Sequence, residues 1–185
     1  MLGCGDLPFD YLEYLVSRTD VPLFYVPGNH DPDLKPPDTR WAPVRIEEPV
    51  PGPQGCTNID GRVVEWRGVR IAGLGGSMRY KEGPNQYTQG QMRRRALTLE
   101  VRLRLKRVRD GRKLDVFVTH APPYGLVEAQ DPAHVGFAAF LRLIRILRPQ
   151  LLVHGHVHPY GHVIPEKRIG PTRVIDVVPW RLIEV

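Results

Sequence analysis

Val153-His154-Gly155-His156-Val157-His158 is the stretch on which the reading of this chain turns. It closes an apolar run, Leu151 to Val153, whose pattern predicts a buried strand. Gly155 then turns the chain, and His156 and His158 follow at alternate positions. On a glycine turn just past a strand end, two imidazoles can address two neighbouring points. That suits a pair of metal ions a few ångströms apart. A Gly-His-x-His turn is only suggestive by itself, and its weight comes from three other polar clusters.

Working outward, each cluster stands just after an apolar run. Leu114 to Val118 predicts a strand ending in Thr119-His120-Ala121-Pro122-Pro123, where a lone histidine is usually structural. Val21 to Val26 predicts a short strand that runs into Pro27-Gly28-Asn29-His30-Asp31-Pro32. Those residue types make plain turns, but a histidine between Asn and Asp is less expected of one. An Asn amide oxygen can bind metal, and Asp31 beside His30 can orient the imidazole. Met1 to Cys4 reads as the tail of a strand, followed at once by Gly5-Asp6. Asp6 lies where α/β folds place function, or it caps the helix predicted over Pro8 to Arg18.

Composition narrows the class. With 185 residues, of which 42% are apolar and 25% charged, the chain is long enough for one domain with a real core. No apolar run approaches membrane-spanning length and no signal peptide opens the chain, so a cytoplasmic location is expected. Cys4 and Cys56 lack CxxC spacing, which predicts free thiols rather than a disulfide framework. Net charge is +6, carried by 21 arginines against five lysines. Arginine grips phosphate through a planar fork, so anionic substrates are favoured and nucleic acid is a weaker option. Arginine on solvated faces accounts for the same excess.

The remaining segments read as follows. Asp33 to Gly55 is a long, proline-rich irregular loop, a lid or binding segment. Asn58 to Gly76 forms a hairpin about Arg67-Gly68. Its closing glycines could admit a phosphate, but they lack the Walker lysine and the dinucleotide spacing. Arg79 and Tyr80 lie in a polar loop that contacts substrate or is plain surface. Thr88 to Arg109 is a helix, with Thr88 and Gln91 forming a capping box. It carries two apolar stripes on nearly opposite sides: Met92, Ala96, Leu99 and Leu103, then Leu97, Val101, Leu105 and Val108. The second stripe needs a cover, and a second copy of the chain would provide it. Ala133 to Leu147 predicts a helix, and Val174 to Val178 with Leu182 to Val185 predict two closing strands. His134, His154 and His162 are read as structural or surface residues.

The blocks Gly5-Asp6, Gly28-Asn29-His30-Asp31, His120 and Gly155-His156-Val157-His158 together resemble the calcineurin-like metallophosphoesterase family. The resemblance implies an α/β fold, a β-sandwich of two mixed sheets flanked by helices, as a single domain over 1–185. It also implies divalent metal ions, Mn²⁺, Fe or Zn²⁺, one or two per chain. Asp6 would bridge them, with Asn29, His120 and His156 completing one site and His158 serving the other. His30 would protonate the leaving oxygen, with Asp31 orienting it. The implied activity is hydrolysis of a phosphomonoester or phosphodiester by metal-activated hydroxide attack. The family's opening Asp-x-His block has no counterpart here, so the fold is expected to lack its first strand, through truncation or, alternatively, through divergence to a branch that binds one metal or substitutes a ligand. A non-catalytic scaffold or interaction module of the same fold is the alternative. A nucleic-acid-binding module ranks last, because the arginines lack interleaved aromatics.

Overall fold

The computed structural model of the chain describes residues 1–34, 52–126, 132–158 and 164–184. Most of the loop expected over Asp33 to Gly55, together with His162 and Val185, lies outside them. Three parallel strands form one sheet: β1 (Leu2–Gly3), β2 (Leu23–Tyr25) and β3 (Cys56–Asn58), in that order. The larger, mixed sheet contains β4 (Val63–Trp66), β5 (Val69–Leu74), β8 (Val116–Thr119), β9 (Leu151–His154), β10 (Lys167–Ile169) and β11 (Thr172–Asp176). Its order is β10-β11-β9-β8-β5-β4, with β5, β8, β9 and β11 parallel. A small ladder pairs β6 (Ser77–Met78) with β7 (Gln86–Tyr87). The helices are α1 (Phe9–Arg18), α2 (Gln89–Asp110) and α3 (Ala138–Leu147).

Strand periodicity builds the layers. Val116, Val118, Leu151, Val153 and Ile175 point to one face of the larger sheet and pack on Cys4, Val26 and Ile59 of the smaller one. Phe117, Leu152 and Val174 point to the other face, where α2 and α3 cover them with Met92, Leu99, Phe140 and Leu143. Leu23 and Tyr25 face outward from the smaller sheet onto Leu12 of α1. The result is a two-sheet sandwich between helical layers, as the resemblance implies, with the larger sheet mixed and the described strands of the smaller one all parallel. Arg67 and Gly68, with φ of 46° and 83°, make the tight turn of the β4–β5 hairpin. Arg70 of β5 is fully buried, and ion pairs to Glu65 and Asp110 bind the hairpin to the end of α2.

Two expectations change. The helix predicted from Ala133 starts at Ala138, after a separate 3₁₀ turn at Pro132–His134. Gly136 adopts φ 74°, and the Phe137 N–H donates to the Pro122 carbonyl at 3.1 Å, which ties the segment across to the β8 loop before the helix can begin. In the tail, 182–184 form no strand and Leu182 is 95% exposed. The free edge of β11 is taken instead by β10, a polar strand with no apolar pattern to announce it. No described helix is long and apolar enough to cross a membrane. Cys4 and Cys56 are free thiols.

Asp176, at the end of β11, is 3% exposed. Its Oδ1 accepts the Val178 N–H at 2.9 Å, while Oδ2 has no partner among the described residues. Burial pushes its carboxyl up to about 6. An acid raised in the folded state is fully accommodated below its unfolded pKa and costs stability as pH rises through the folded value. Asp176→Asn is therefore expected to stabilise the protein by about 2–3 kcal/mol near pH 8 and by almost nothing near pH 4. Denaturant unfolding at the two pH values checks the difference.

Candidate metal centre

Four strand ends converge on one rim of the sandwich. β1 delivers Gly5 and Asp6, β2 delivers Gly28 to Asp31, β8 delivers His120, and β9 delivers His156. All four strands run in the same sense within their sheets, so their C-terminal ends collect at one edge. One ligand atom from each of Asp6, His120 and His156 lies within 4.8 Å of the other two. Asn29 joins them, with its Oδ1 3.0 Å from His120 Nε2.

Backbone geometry makes the convergence possible. Gly5 and Asp6 both adopt left-handed conformations, φ 85° and 57°, which turn the Asp6 carboxylate back over the strand ends. Gly28 lies so close beneath it that a Cβ there would fall 2.0 Å from Asp6 Oδ1. His156 is left-handed too, at φ 69°. Strained non-glycine residues cluster at functional sites, and two of them meet here. The glycines after β5 have a different use from the one weighed in the sequence. The Gly76 N–H donates to the Pro27 carbonyl at 2.8 Å, and a Cβ on Gly75 would meet that carbonyl at 2.4 Å. They hold the Pro27–Asp31 loop rather than leaving amides free for a phosphate.

The polarity of the cluster is its main electrostatic feature. His120 is fully buried, and its Nδ1 stands 2.6 Å from the Cys4 carbonyl, an acceptor. That contact assigns a proton to Nδ1. Nε2 then faces two further acceptors, Asn29 Oδ1 at 3.0 Å and Asp6 Oδ2 at 3.4 Å. Three lone pairs pointing at one another require a proton or a cation among them. His156 is oriented in the same way. Its Nε2 lies 3.1 Å from the Ala133 carbonyl, which leaves Nδ1 bare. Burial, with His120 nearby, lowers its pKa to about 4, so it is neutral and able to ligate at pH 7. Burial pushes the Asp6 carboxyl up, yet a proton on His120 Nε2, through hydrogen bonding and charge, holds it below its usual range, which is the same positive charge a cation would supply. A carboxylate, an amide oxygen and two imidazoles form a donor set that fits a divalent first-row metal.

The other expected site residues are placed differently. His30 is exposed at the rim, and its backbone N–H donates to Asp6 Oδ1 at 2.9 Å. Asp31 is buried, and its Oδ2 accepts the Gly28 and Asp6 N–H groups at 2.7 and 3.1 Å. Tyr80 brings its hydroxyl to 3.5 Å from Asn29 Nδ2. Arg79 lies 3.3 Å from Gln91 Oε1 at the start of α2. His158 is exposed and stands outside the Asp6–His120–His156 group. His134, expected to be structural or surface, stacks its ring on His156 at 4.7 Å between centroids. No local pattern marks it, because the contact depends on how the segment before α3 folds back.

A family model for metallophosphoesterases of the calcineurin superfamily matches residues 8–176, a range that opens just after Asp6. The crystal structure of TT1561 of Thermus thermophilus is similar at TM-score 0.52 and 22% identity, over 91% of this chain and 68% of that one. The phosphopantetheinyl hydrolase PptH of Mycobacterium tuberculosis gives TM-score 0.51 and 14% identity, over 95% and 77%. A third crystal structure, at TM-score 0.54 and 22% identity, is matched over 91% of this chain, which spans only 62% of its length. No curated protein matches the sequence.

Metal titration tests the cluster directly. Asp6→Ala and His120→Ala are each expected to weaken Mn²⁺ or Zn²⁺ binding by more than about 100-fold, beyond the usual cost of losing an outer-shell partner. Gly28→Ala should do the same by displacing the Asp6 carboxylate. Calorimetry on proteins shown by circular dichroism to be folded gives the comparison.

Proposed function

This chain belongs to the calcineurin superfamily of metallophosphoesterases, and from that premise we propose that it hydrolyses phosphate esters with a divalent metal held by Asp6, Asn29, His120 and His156. The observation that carries the reading is the facing set of acceptors at His120 Nε2, Asn29 Oδ1 and Asp6 Oδ2, which a bound cation would neutralise. Mn²⁺, Fe²⁺ and Zn²⁺ suit these donors. When bound, such an ion supplies Lewis-acid polarisation of the phosphoryl oxygens and acidifies an attacking water.

The chain's own residues divide the remaining work. Asp6 and Asn29 present oxygens at fixed positions, and the Cys4 and Ala133 carbonyls fix the two imidazole tautomers. His30 is the proton donor to the leaving oxygen, because its ring reaches solvent while its backbone is anchored to Asp6. Asp31 orients His30 through the loop, by clamping the Gly28 and Asp6 amides. Tyr80 touches the substrate from the Asn29 side, and Arg79 is a weaker contact. His158 serves a second ion if one binds. An imidazolium proton donor is worth most when the leaving group is a poor one.

Purified protein is expected to hydrolyse bis-p-nitrophenyl phosphate or p-nitrophenyl phosphate with added Mn²⁺ or Zn²⁺, and to lose this with EDTA. His30→Ala should lower kcat about 10²–10⁴-fold on an alkyl ester and much less on a p-nitrophenyl ester, whose leaving group needs no proton. Rates no higher than metal in buffer would remove the catalytic reading, and equal losses on both esters would remove the role of His30.

A further inference from the structure

The exposed face of α2 is not explained by the metal centre. Thr88 accepts the Gln91 N–H at 3.2 Å and Gln91 returns a bond to the Thr88 N–H at 2.8 Å, so the helix is well capped. Met92, Ala96, Leu99 and Leu103 are buried against the larger sheet. On the opposite side Leu97, Val101, Leu105 and Val108 are 39%, 55%, 61% and 85% exposed. At 1.5 Å per residue they make one stripe about 16 Å long. Scattered surface aliphatics need no account, but four in register on one helix face do.

The charges beside the stripe select what covers it. Arg93, Arg94, Arg104 and Arg109 lie within about 40° of it around the helix axis. Arg104 pairs with Glu100 on its own helix, at 2.8 Å. Arg93, Arg94 and Arg109 make no ion pair among the described residues. Neither acidic residue of the helix belongs to this face. Glu100 is buried and also pairs with Arg142, and Asp110 pairs with the buried Arg70.

A second copy of the chain fits this face poorly. A two-fold pairing of α2 with itself sets stripe on stripe and brings two sets of the unpaired Arg93, Arg94 and Arg109 to one interface with no acidic group of the face to offset them. A nucleic acid would meet the arginines but leave the four aliphatics against phosphate and water. An anionic lipid surface would meet both, but the stripe is narrow and has no aromatic residue to insert. An amphipathic helix with glutamates beside its own aliphatic stripe satisfies both halves of the pattern. We propose that the Leu97–Val108 face of α2 is a docking surface for an acidic amphipathic helix of a partner protein.

The test uses the whole chain and a synthetic helical peptide with a leucine stripe flanked by glutamates, followed by fluorescence anisotropy. Its twin has lysines in place of the glutamates. The acidic peptide should bind at least about tenfold tighter than the basic one, and weaken as salt rises from about 0.1 to about 0.5 M. The doubly substituted Val101→Ser, Leu105→Ser protein should lose roughly tenfold in affinity while its metal binding is unchanged. Equal binding of both peptides, or no loss in the double variant, overturns the proposal. So does a dimer of the protein alone that the double variant dissolves, which would make the occupant a second copy. Tighter binding to an oligonucleotide or to phosphatidylserine vesicles than to the acidic peptide also overturns it.

Discussion

His120 Nε2 stands 3.0 Å from Asn29 Oδ1 and 3.4 Å from Asp6 Oδ2 in a largely buried rim, so a proton or a cation must lie among these acceptors, and the rest of the site follows from that constraint. His120 Nε2 cannot turn away, because Nδ1 is fixed to the Cys4 carbonyl and the ring is fully buried. Asp6 cannot turn away either, because its backbone amide and Oδ1 are both engaged, by Asp31 and His30. The need for a proton or a cation among the acceptors is therefore built in. A left-handed Asp6 and a left-handed His156 add about 1–2 kcal/mol of backbone cost each. The two sheet-packed cores stabilise the fold enough to offset it, since they bury most apolar residues of the parallel strands. Binding of a cation would then take the place of a proton in a site that is already ordered.

Much of this was legible in the chain because the signals were local. An apolar run followed by glycine and a side chain able to bind metal encodes both a strand end and a candidate ligand, and this happens at Asp6, Asn29 and His156. The tight turn at Arg67-Gly68 and the capping box at Thr88 carried the same kind of local signature, and both are present. The two stripes of α2 were visible as spacing, with one buried and the other exposed as expected.

What escaped was non-local. Asp31 sits beside His30 in sequence, which invites a direct pairing of their side chains. In the fold it reaches instead to the amides of Gly28 and Asp6, the latter 25 residues away. His134 stacks on His156, and Ala133 fixes its tautomer, because a 3₁₀ turn folds back over the rim. β10 has no apolar pattern, since it is an edge strand with its side chains largely in solvent. Its existence depends on the free edge that β11 offers, and no property of Lys167–Ile169 alone reports that edge.

In the proposed reading, holding and acting are separated within the four residues from Gly28 to Asp31. Gly28, Asn29 and Asp31 are buried, and His30 alone is exposed. Gly28 has no side chain because Asp6 occupies that space, Asn29 gives its oxygen to the acceptor cluster, and Asp31 commits its carboxylate to backbone amides. Burial pushes the Asp31 carboxyl up, and the two amides it accepts from pull it partly back, so its contribution is positional. A proton donor needs the opposite condition. Its backbone must be fixed so that the ring has one origin, and its ring must stay free to meet a leaving group whose place varies with the ester. Of the four, His30 alone combines an anchored backbone with an exposed ring, which is why the donor's role is proposed for it, and its neighbours' buried contacts leave it that freedom.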